Sequence, residues 1–192
     1  SPTRPEFKQT KKGNTTVTHL HEVYPDIDVV FEDTYTQRER QIVIKKQPKG
    51  ITASDTLRFW EEYNLPAGAK VYGGDGTIIS GTRRQGTESV SVKTPDGANI
   101  EISGAVMFDG SLSRDEIETS PITLGLSEII EVSYATGSMR IGLEVPAQYL
   151  MDKNRVYPVT VDPLLSSAAW TAESDQASAA FGFSVAAAGD VN

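Results

Sequence analysis

Apolar residues in the first 163 positions recur mostly at every second place, in short runs separated by turn-forming residues. Ile27, Val29 and Phe31, for example, share one side of an extended chain. This alternation is typical of a strand with one buried face. It predicts further strands at 15–22, 40–46, 70–72, 77–80, 89–93, 99–103, 105–108, 129–134 and 139–145.

Turn-forming segments connect several of these runs. Residues 73–76 are Gly-Gly-Asp-Gly, 95–97 are Pro-Asp-Gly and 135–137 are Ala-Thr-Gly. Gly and Asp tolerate the positive φ that tight hairpins require. Many short strands joined by such turns, with almost no helical periodicity, predict an all-β fold: an antiparallel β-sandwich or barrel-like domain with a C-terminal extended tail.

The run 56–65 fits two periods. Leu57, Phe59 and Tyr63 alternate as in a strand, whereas Leu57, Trp60 and Asn64 would share a helical face. The run is only ten residues long and its neighbours are strands, so we predict a strand.

The stretch 155–163 closes the alternating region. Val156, Val159 and Val161 are β-branched, but Pro158 and Pro163 lack the N–H that a central strand would donate. The pattern therefore predicts a final strand at the edge of a sheet. We divide the chain into a flexible N-terminal segment (1–14, with a short strand near Phe7), an all-β domain (15–163), an Ala/Ser-rich connector (164–180) and a distinct end (181–192).

Composition narrows the classes of function. The formal net charge is −8, which argues against non-specific binding to nucleic acid phosphates. The longest apolar run is a few residues, too short for membrane insertion. The chain has no cysteine, so disulfides and thiolate chemistry are excluded.

Residues 181–192, Phe-Gly-Phe-Ser-Val-Ala-Ala-Ala-Gly-Asp-Val-Asn, resemble the opening of an FG-GAP repeat, the blade unit of integrin-alpha-like β-propellers. In that family the motif continues into a calcium loop with oxygen ligands at alternating positions. The resemblance implies that Asp190 and Asn192 are the first two ligands of an incomplete loop. It implies no cofactor in this fragment and calcium in the full-length protein.

Two segments of the preceding region are similar to a β-rich module found ahead of repeats in large secreted and surface bacterial proteins. They are residues 23–31 (Val-Tyr-Pro-Asp-Ile-Asp-Val-Val-Phe) and 157–163 (Tyr-Pro-Val-Thr-Val-Asp-Pro). The resemblance implies a secreted or cell-surface location and a downstream propeller as partner. No catalytic role comes with it.

Two clusters contain possible metal ligands. His19 and His21 fall on one face of a strand and could bind Zn²⁺ or Cu²⁺ with Glu22 or another carboxylate, or form an exposed polar face. Asp26 and Asp28, followed by further carboxylates, could hold Ca²⁺ or supply a glycosidase acid pair, or form a solvated acidic face.

Trp60, Tyr63 and Tyr72 could form an aromatic platform for sugar rings, or belong to the core. No phosphate loop or nucleophile elbow is present. We predict a non-enzymatic structural or adhesive module that binds a downstream propeller, a surface protein or a glycan. The alternative is a carbohydrate-binding module. Phe181 and Phe183 alternate with small residues in a strand that has no partner left in the sequence. We expect this strand to pair with an exposed edge of its own molecule or of a second one, which would form a strand-mediated homodimer; the alternatives are that it stays mobile or becomes weakly helical.

Overall fold

The computed structural model describes residues 6–34, 38–112 and 126–163. These residues form strands joined mainly by tight turns, with a single helical turn among them. The elements are β1 (Glu6–Lys12), β2 (Thr15–Tyr24), β3 (Ile27–Asp33), β4 (Arg38–Ile44), β5 (Thr56–Asn64), β6 (Lys70–Tyr72), β7 (Gly81–Gln85), β8 (Val90–Lys93), β9 (Asn99–Ile102), β10 (Ala105–Asp109), β11 (Ser127–Ser133), β12 (Ser138–Pro146), α1 (Ala147–Leu150) and β13 (Val159–Pro163).

The strands form three antiparallel sheets. The large sheet has the order β1-β2-β3-β4-β13-β10, the central sheet β5-β12-β11-β7 and the small sheet β6-β8-β9. Each described sheet stays open, so the prediction of an antiparallel all-β fold is confirmed in its sandwich form rather than its barrel form. Segment 56–65 is a strand, as its period-two pattern predicts, and pairs with β12 along its whole length.

One face of the central sheet covers both other sheets. On β12, Met139 and Ile141 pack toward the small sheet, while Leu143 and Val145 pack toward the large sheet. Burial of each such side chain contributes about 1.5–3 kcal/mol. The large-sheet cluster contains Ile27, Ile42, Ile44, Ala105, Met107, Leu126, Leu143, Val145, Leu150, Val159 and Val161. The small-sheet cluster contains Ala69, Val71, Ile79, Val90, Val92, Ile102, Ile130, Val132, Met139 and Ile141.

The prediction that the last strand lies at the edge of a sheet is wrong for β13. It lies inside the large sheet, paired with β4 on one side and β10 on the other, and not at an edge. The strand begins after Pro158 and ends at Pro163, so neither proline interrupts its middle. Val159 and Val161 are fully buried, as β-branched residues in a central strand should be.

Three further predictions were wrong or incomplete. The strand predicted near Phe7 is present as β1, but it extends over residues 6–12 and pairs with β2 through seven residue pairs, so this part of the N-terminal segment is not flexible. Residues 77–80 form only the bridge between Tyr72 and Ile78 instead of a strand. Strand β7, which has no apolar residue, was missed because its support is the pairing with β11.

Strands β1, β2 and β3 extend the large sheet beyond the sandwich, and we call these three strands the wing. All seven residues of β1 are exposed, and β2 is half-buried to exposed. On β4, by contrast, every second residue is buried. Within the part of the chain that the structure describes, the wing therefore has two accessible faces and an open edge at β1.

Candidate functional site

One face of the wing is apolar because the strand register aligns its large side chains. Phe7, Leu20, Val29 and Ile42 are successive cross-strand partners on β1 to β4. Cross-strand partners project from the same face of a sheet, so these residues form a continuous row. Phe7 is 62% exposed and Ile42 is 1% exposed, so the row leads from solvent into the core.

A groove of about 310 Å³ lies between this apolar face and β5. Tyr24 and Trp60 are its exposed aromatic residues, with 51% and 39% of their surface accessible. Exposed apolar concavities of this kind are typical of binding surfaces. The groove is lined by Leu20, Val23, Tyr24, Val29, Phe31, Arg40, Ile42, Arg58, Phe59, Trp60 and Glu61.

The opposite face of the wing carries the two histidines of the chain together with Asp28. His19 and His21 stack their rings with centroids 3.8 Å apart. His19 Nε2 and His21 Nδ1 lie 3.1 and 3.3 Å from the same atom, Asp28 Oδ2. The histidine pair therefore shares one strand face, as its spacing predicts, and the carboxylate beside it comes from Asp28 rather than Glu22.

A β-bulge brings Asp28 to the histidines. Between Leu20 and Tyr24, three residues of β2 face the single β3 residue Asp28. Glu22 lies in this bulge with φ of 53°, and its backbone N–H donates to Asp28 Oδ1 at 2.9 Å. The extra length of β2 therefore directs a main-chain donor and both imidazoles at one carboxylate.

Asp28 is 5% exposed, yet its environment favours the charged form. Burial raises the pKa of Asp28, but hydrogen bonds from the Glu22 N–H, the Lys45 ammonium and His19 outweigh burial and lower it to about 2. Lys45 Nζ lies 2.9 Å from Asp28 Oδ1. Asp28 is therefore an ionised carboxylate at neutral pH.

Asp26 does not join this cluster. It lies in the turn between β2 and β3 with φ of 60°, and its Oδ1 accepts a hydrogen bond from Lys46 at 3.0 Å. Its N–H donates to Glu22 Oε2 at 2.9 Å. Asp26 and Asp28 thus contact different lysines, whereas a calcium site requires six or more converging oxygens. The structure does not bring the two aspartates together as the calcium hypothesis requires.

The three aromatic residues of the sugar-platform hypothesis lie in separate places. Trp60 is on the outer face of the central sheet, where its ring lies against Gly142 and the Arg140 guanidinium stacks 4.4 Å from a ring centroid. Tyr63 projects from the opposite face of β5 and packs on the small-sheet cluster. Tyr72 belongs to β6 in the small sheet. The structure therefore offers one exposed indole and not a platform of three rings.

The core also contains a polar group that was not predicted. Its members line one small cavity and are Arg40, Glu61, Tyr63 and Glu128. Arg40 Nη1 lies 2.5 Å from Glu61 Oε2. Burial raises the pKa of Glu128 to about 7. Glu128 occupies the same face of β11 as Ile130 and Val132, so its alternation with buried residues was a usable signal.

A second buried carboxylate, Glu144, stabilises the outer face of the central sheet. Its side chain is 3% exposed and lies 2.7 Å from Arg58 Nε and 2.6 Å from Arg84 Nη1. Ser127 Oγ donates to it at 2.9 Å. These contacts connect all four strands of the sheet, which explains a buried charge without a ligand-binding role.

Asp190 and Asn192, the ligands implied for an incomplete calcium loop, lie outside the described residues, as do Phe181 and Phe183 of the proposed unpaired strand. Within the described part of the chain, no helix has the length and apolar character needed to span a membrane.

Comparison with known proteins adds no relative: no protein family, no curated protein and no solved structure matches this chain. The features of this chain that bear on its function are therefore the wing, the groove and the histidine cluster.

Proposed function

We propose that this chain is a non-enzymatic structural and adhesive module of a secreted or cell-surface bacterial protein, placed ahead of an FG-GAP propeller. In this proposal the wing docks the first strand of the segment that follows the domain. The observation that carries the proposal is the apolar face of the wing, which stays accessible among the described residues and lies beside the end of β13.

The register places the end of β13 next to the groove. Val161 on β13 is opposite Ile42 on β4, so Pro163 is level with Arg40, whose other neighbour is Phe31 on β3. Strands in a sheet are about 4.8 Å apart, so β13 and β3 are separated by about 10 Å. Strand β13 therefore ends close to the Phe31 end of the groove.

The proposed occupant is the segment 181–185, Phe-Gly-Phe-Ser-Val. Its apolar residues alternate, so one side of the segment can pack against the apolar row of the wing. The open edge of β1 can form main-chain hydrogen bonds with an added strand. The 17 residues of the connector 164–180 can span up to about 56 Å when extended, more than enough to return to the wing.

The test compares the full chain with the double variant Phe181→Ser, Phe183→Ser by hydrogen exchange and by fluorescence of an apolar dye. We expect faster exchange in β1 and β2 and more dye bound, because the wing becomes uncovered. Ala187→Ser is the matched control and should change neither reading. Equal exchange in the double variant and the parent chain would refute the proposal.

Light scattering shows whether the docked strand comes from the same molecule or from a second one. Pairing within one molecule leaves the chain monomeric, whereas exchange between two molecules produces a homodimer that the double variant converts to monomer. Tyr24→Ser, on the wing itself, should reproduce the exchange result.

Carbohydrate binding is the second candidate, and the observation that favours it is the exposed indole of Trp60 on the outer face of the central sheet. Retardation of the chain in gels containing polysaccharide, abolished by Trp60→Ala and retained by Tyr72→Ala, would establish it. The Arg140 guanidinium stacked on the ring weighs against an open sugar-binding face.

A further inference from the structure

The cluster on the outer face of the wing is independent of the docking face, and it combines three groups that bind metals. Zinc ligands lie about 2.0–2.2 Å from the ion in a tetrahedral arrangement, so two ligand atoms of one site are about 3.4 Å apart. His19 Nε2 and His21 Nδ1 lie 3.1 and 3.3 Å from Asp28 Oδ2. These two distances are therefore close to the separation expected between ligand atoms of a tetrahedral zinc site.

The two histidines also lie close enough to each other to contact the same ion. One ring nitrogen of His19, one of His21 and one carboxylate oxygen of Asp28 all lie within 4.8 Å of one another. The histidine side chains are 35% exposed and the Asp28 side chain is 6% exposed. A cation can therefore reach the cluster from solvent.

The other oxygen of Asp28 is held by donors that leave Oδ2 to the histidines. The Glu22 N–H and Lys45 Nζ both lie 2.9 Å from Oδ1. Hydrogen bonds of this kind orient metal-ligating carboxylates and are part of many metal sites. The Lys45 charge also opposes a second cation nearby, which lowers the affinity we expect to the micromolar range.

We propose that His19, His21 and Asp28 form a binding site for a divalent transition metal ion, with Zn²⁺ as the ion that fits best. Two imidazole nitrogens and one carboxylate oxygen suit Zn²⁺ and Cu²⁺, whereas Ca²⁺ and Mg²⁺ prefer six or more oxygen ligands. Three protein ligands leave one position for water or for a ligand from a partner. This site goes beyond the structural and adhesive function proposed above and does not depend on it.

The experiment is calorimetric titration of the chelator-treated full chain with ZnCl₂, followed by NMR of the imidazole resonances. We expect one ion per chain and selective shifts of the signals of both histidines. A 100-fold excess of CaCl₂ should not displace the ion.

Variants locate the ion. His19→Ala, His21→Ala and Asp28→Asn should each weaken binding at least about 10-fold, because each removes one of three ligands. Asp26→Asn is the matched control, since this neighbouring carboxylate contacts Lys46 and lies outside the cluster. It should bind as tightly as the parent chain.

Circular dichroism of each variant verifies folding, and the two histidine variants keep the test valid if Asp28→Asn is unstable. Absence of Zn²⁺ binding by the folded parent chain would overturn the site and leave a hydrogen-bonded His–Asp clamp only. Unchanged binding in both histidine variants would place the ion elsewhere and would also overturn it.

Discussion

Asp28 and Glu128 are buried almost equally, at 5% and 3% exposure, yet their pKa values move in opposite directions. The pKa of Asp28 is lowered to about 2 and that of Glu128 is raised to about 7. Burial raises the pKa in both cases. The difference lies in the donors on each carboxylate: Asp28 accepts from the Glu22 N–H, Lys45 and His19, whereas the hydrogen bonds to Glu128 do not outweigh its burial.

The comparison shows that burial alone does not decide whether a carboxylate is charged. On the wing, a bulge supplies a main-chain N–H and a lysine reaches the same oxygen of Asp28, so the charge is retained. Between the two hydrophobic clusters, Arg40 contacts Glu61, and its attraction for Glu128 compensates only part of the burial. The wing therefore keeps a charged carboxylate near solvent, while burial in the core favours the neutral acid.

The largest loss of stability should come from Arg40→Met. Arg40 is buried and contacts Glu61, so its removal leaves a carboxylate without its cation and should lower the free energy of unfolding by about 3 kcal/mol. Urea denaturation measures this. Arg38→Met, which removes an exposed ion pair with Asp33, is the control and should cost no more than about 1 kcal/mol. Equal losses in the two variants would contradict a larger contribution of the buried Arg40–Glu61 pair to stability.

The next effect concerns Glu128→Gln. The folded chain holds the Glu128 proton up to about pH 7, whereas the unfolded chain releases it near 4.5. Folding therefore takes up a proton between these values, and the free energy of unfolding should fall by up to about 3 kcal/mol as pH rises through this window. The variant should lack this decline. Denaturation at pH 5 and pH 8 gives the measurement, with Glu131→Gln on the outer face as control. A decline that persists in Glu128→Gln would show that another group causes it.

A smaller effect of opposite sign is expected for Asp28→Asn, measured without metal. The folded pKa of Asp28 is below its ordinary value of 3.8, so its stabilisation is present above about pH 4 and is lost as pH falls toward 2. At pH 7 the variant should be less stable by about 2 kcal/mol. At pH 2 the two chains should converge, and a constant difference at all pH values would be inconsistent with an ionised Asp28.

The smallest effect should come from Lys45→Met. The Lys45 side chain is one-third exposed, and Asp28 keeps its other donors, so we expect a loss of less than about 1 kcal/mol. The pKa of Asp28, followed by NMR of its carboxyl carbon, should rise toward 3.8 without reaching it. No change in this pKa would mean that the Glu22 N–H and the histidines lower the pKa of Asp28 without Lys45.

The local pattern of the sequence was enough to predict most strands and the antiparallel class. Alternation identified β3, β5 and β12 within a few residues of their observed bounds, because period-two burial is a property of adjacent residues. The spacing of His19 and His21 likewise predicted that they share a face. Strands such as β1 and β7 carry little apolar alternation and form because a neighbouring strand pairs with them.

Partners distant in sequence were decided only by the tertiary structure. The bulge in β2 selects Asp28 rather than Glu22 as the carboxylate beside the histidines, and bulges depend on the register between strands. The interior position of β13 arises because β10 and β4, far apart in the chain, leave a gap that the strand from Val159 to Pro163 fills. Burial and hydrogen-bond donors, and hence the charge of Asp28 and Glu128, follow from that long-range packing and not from the residues adjacent in sequence.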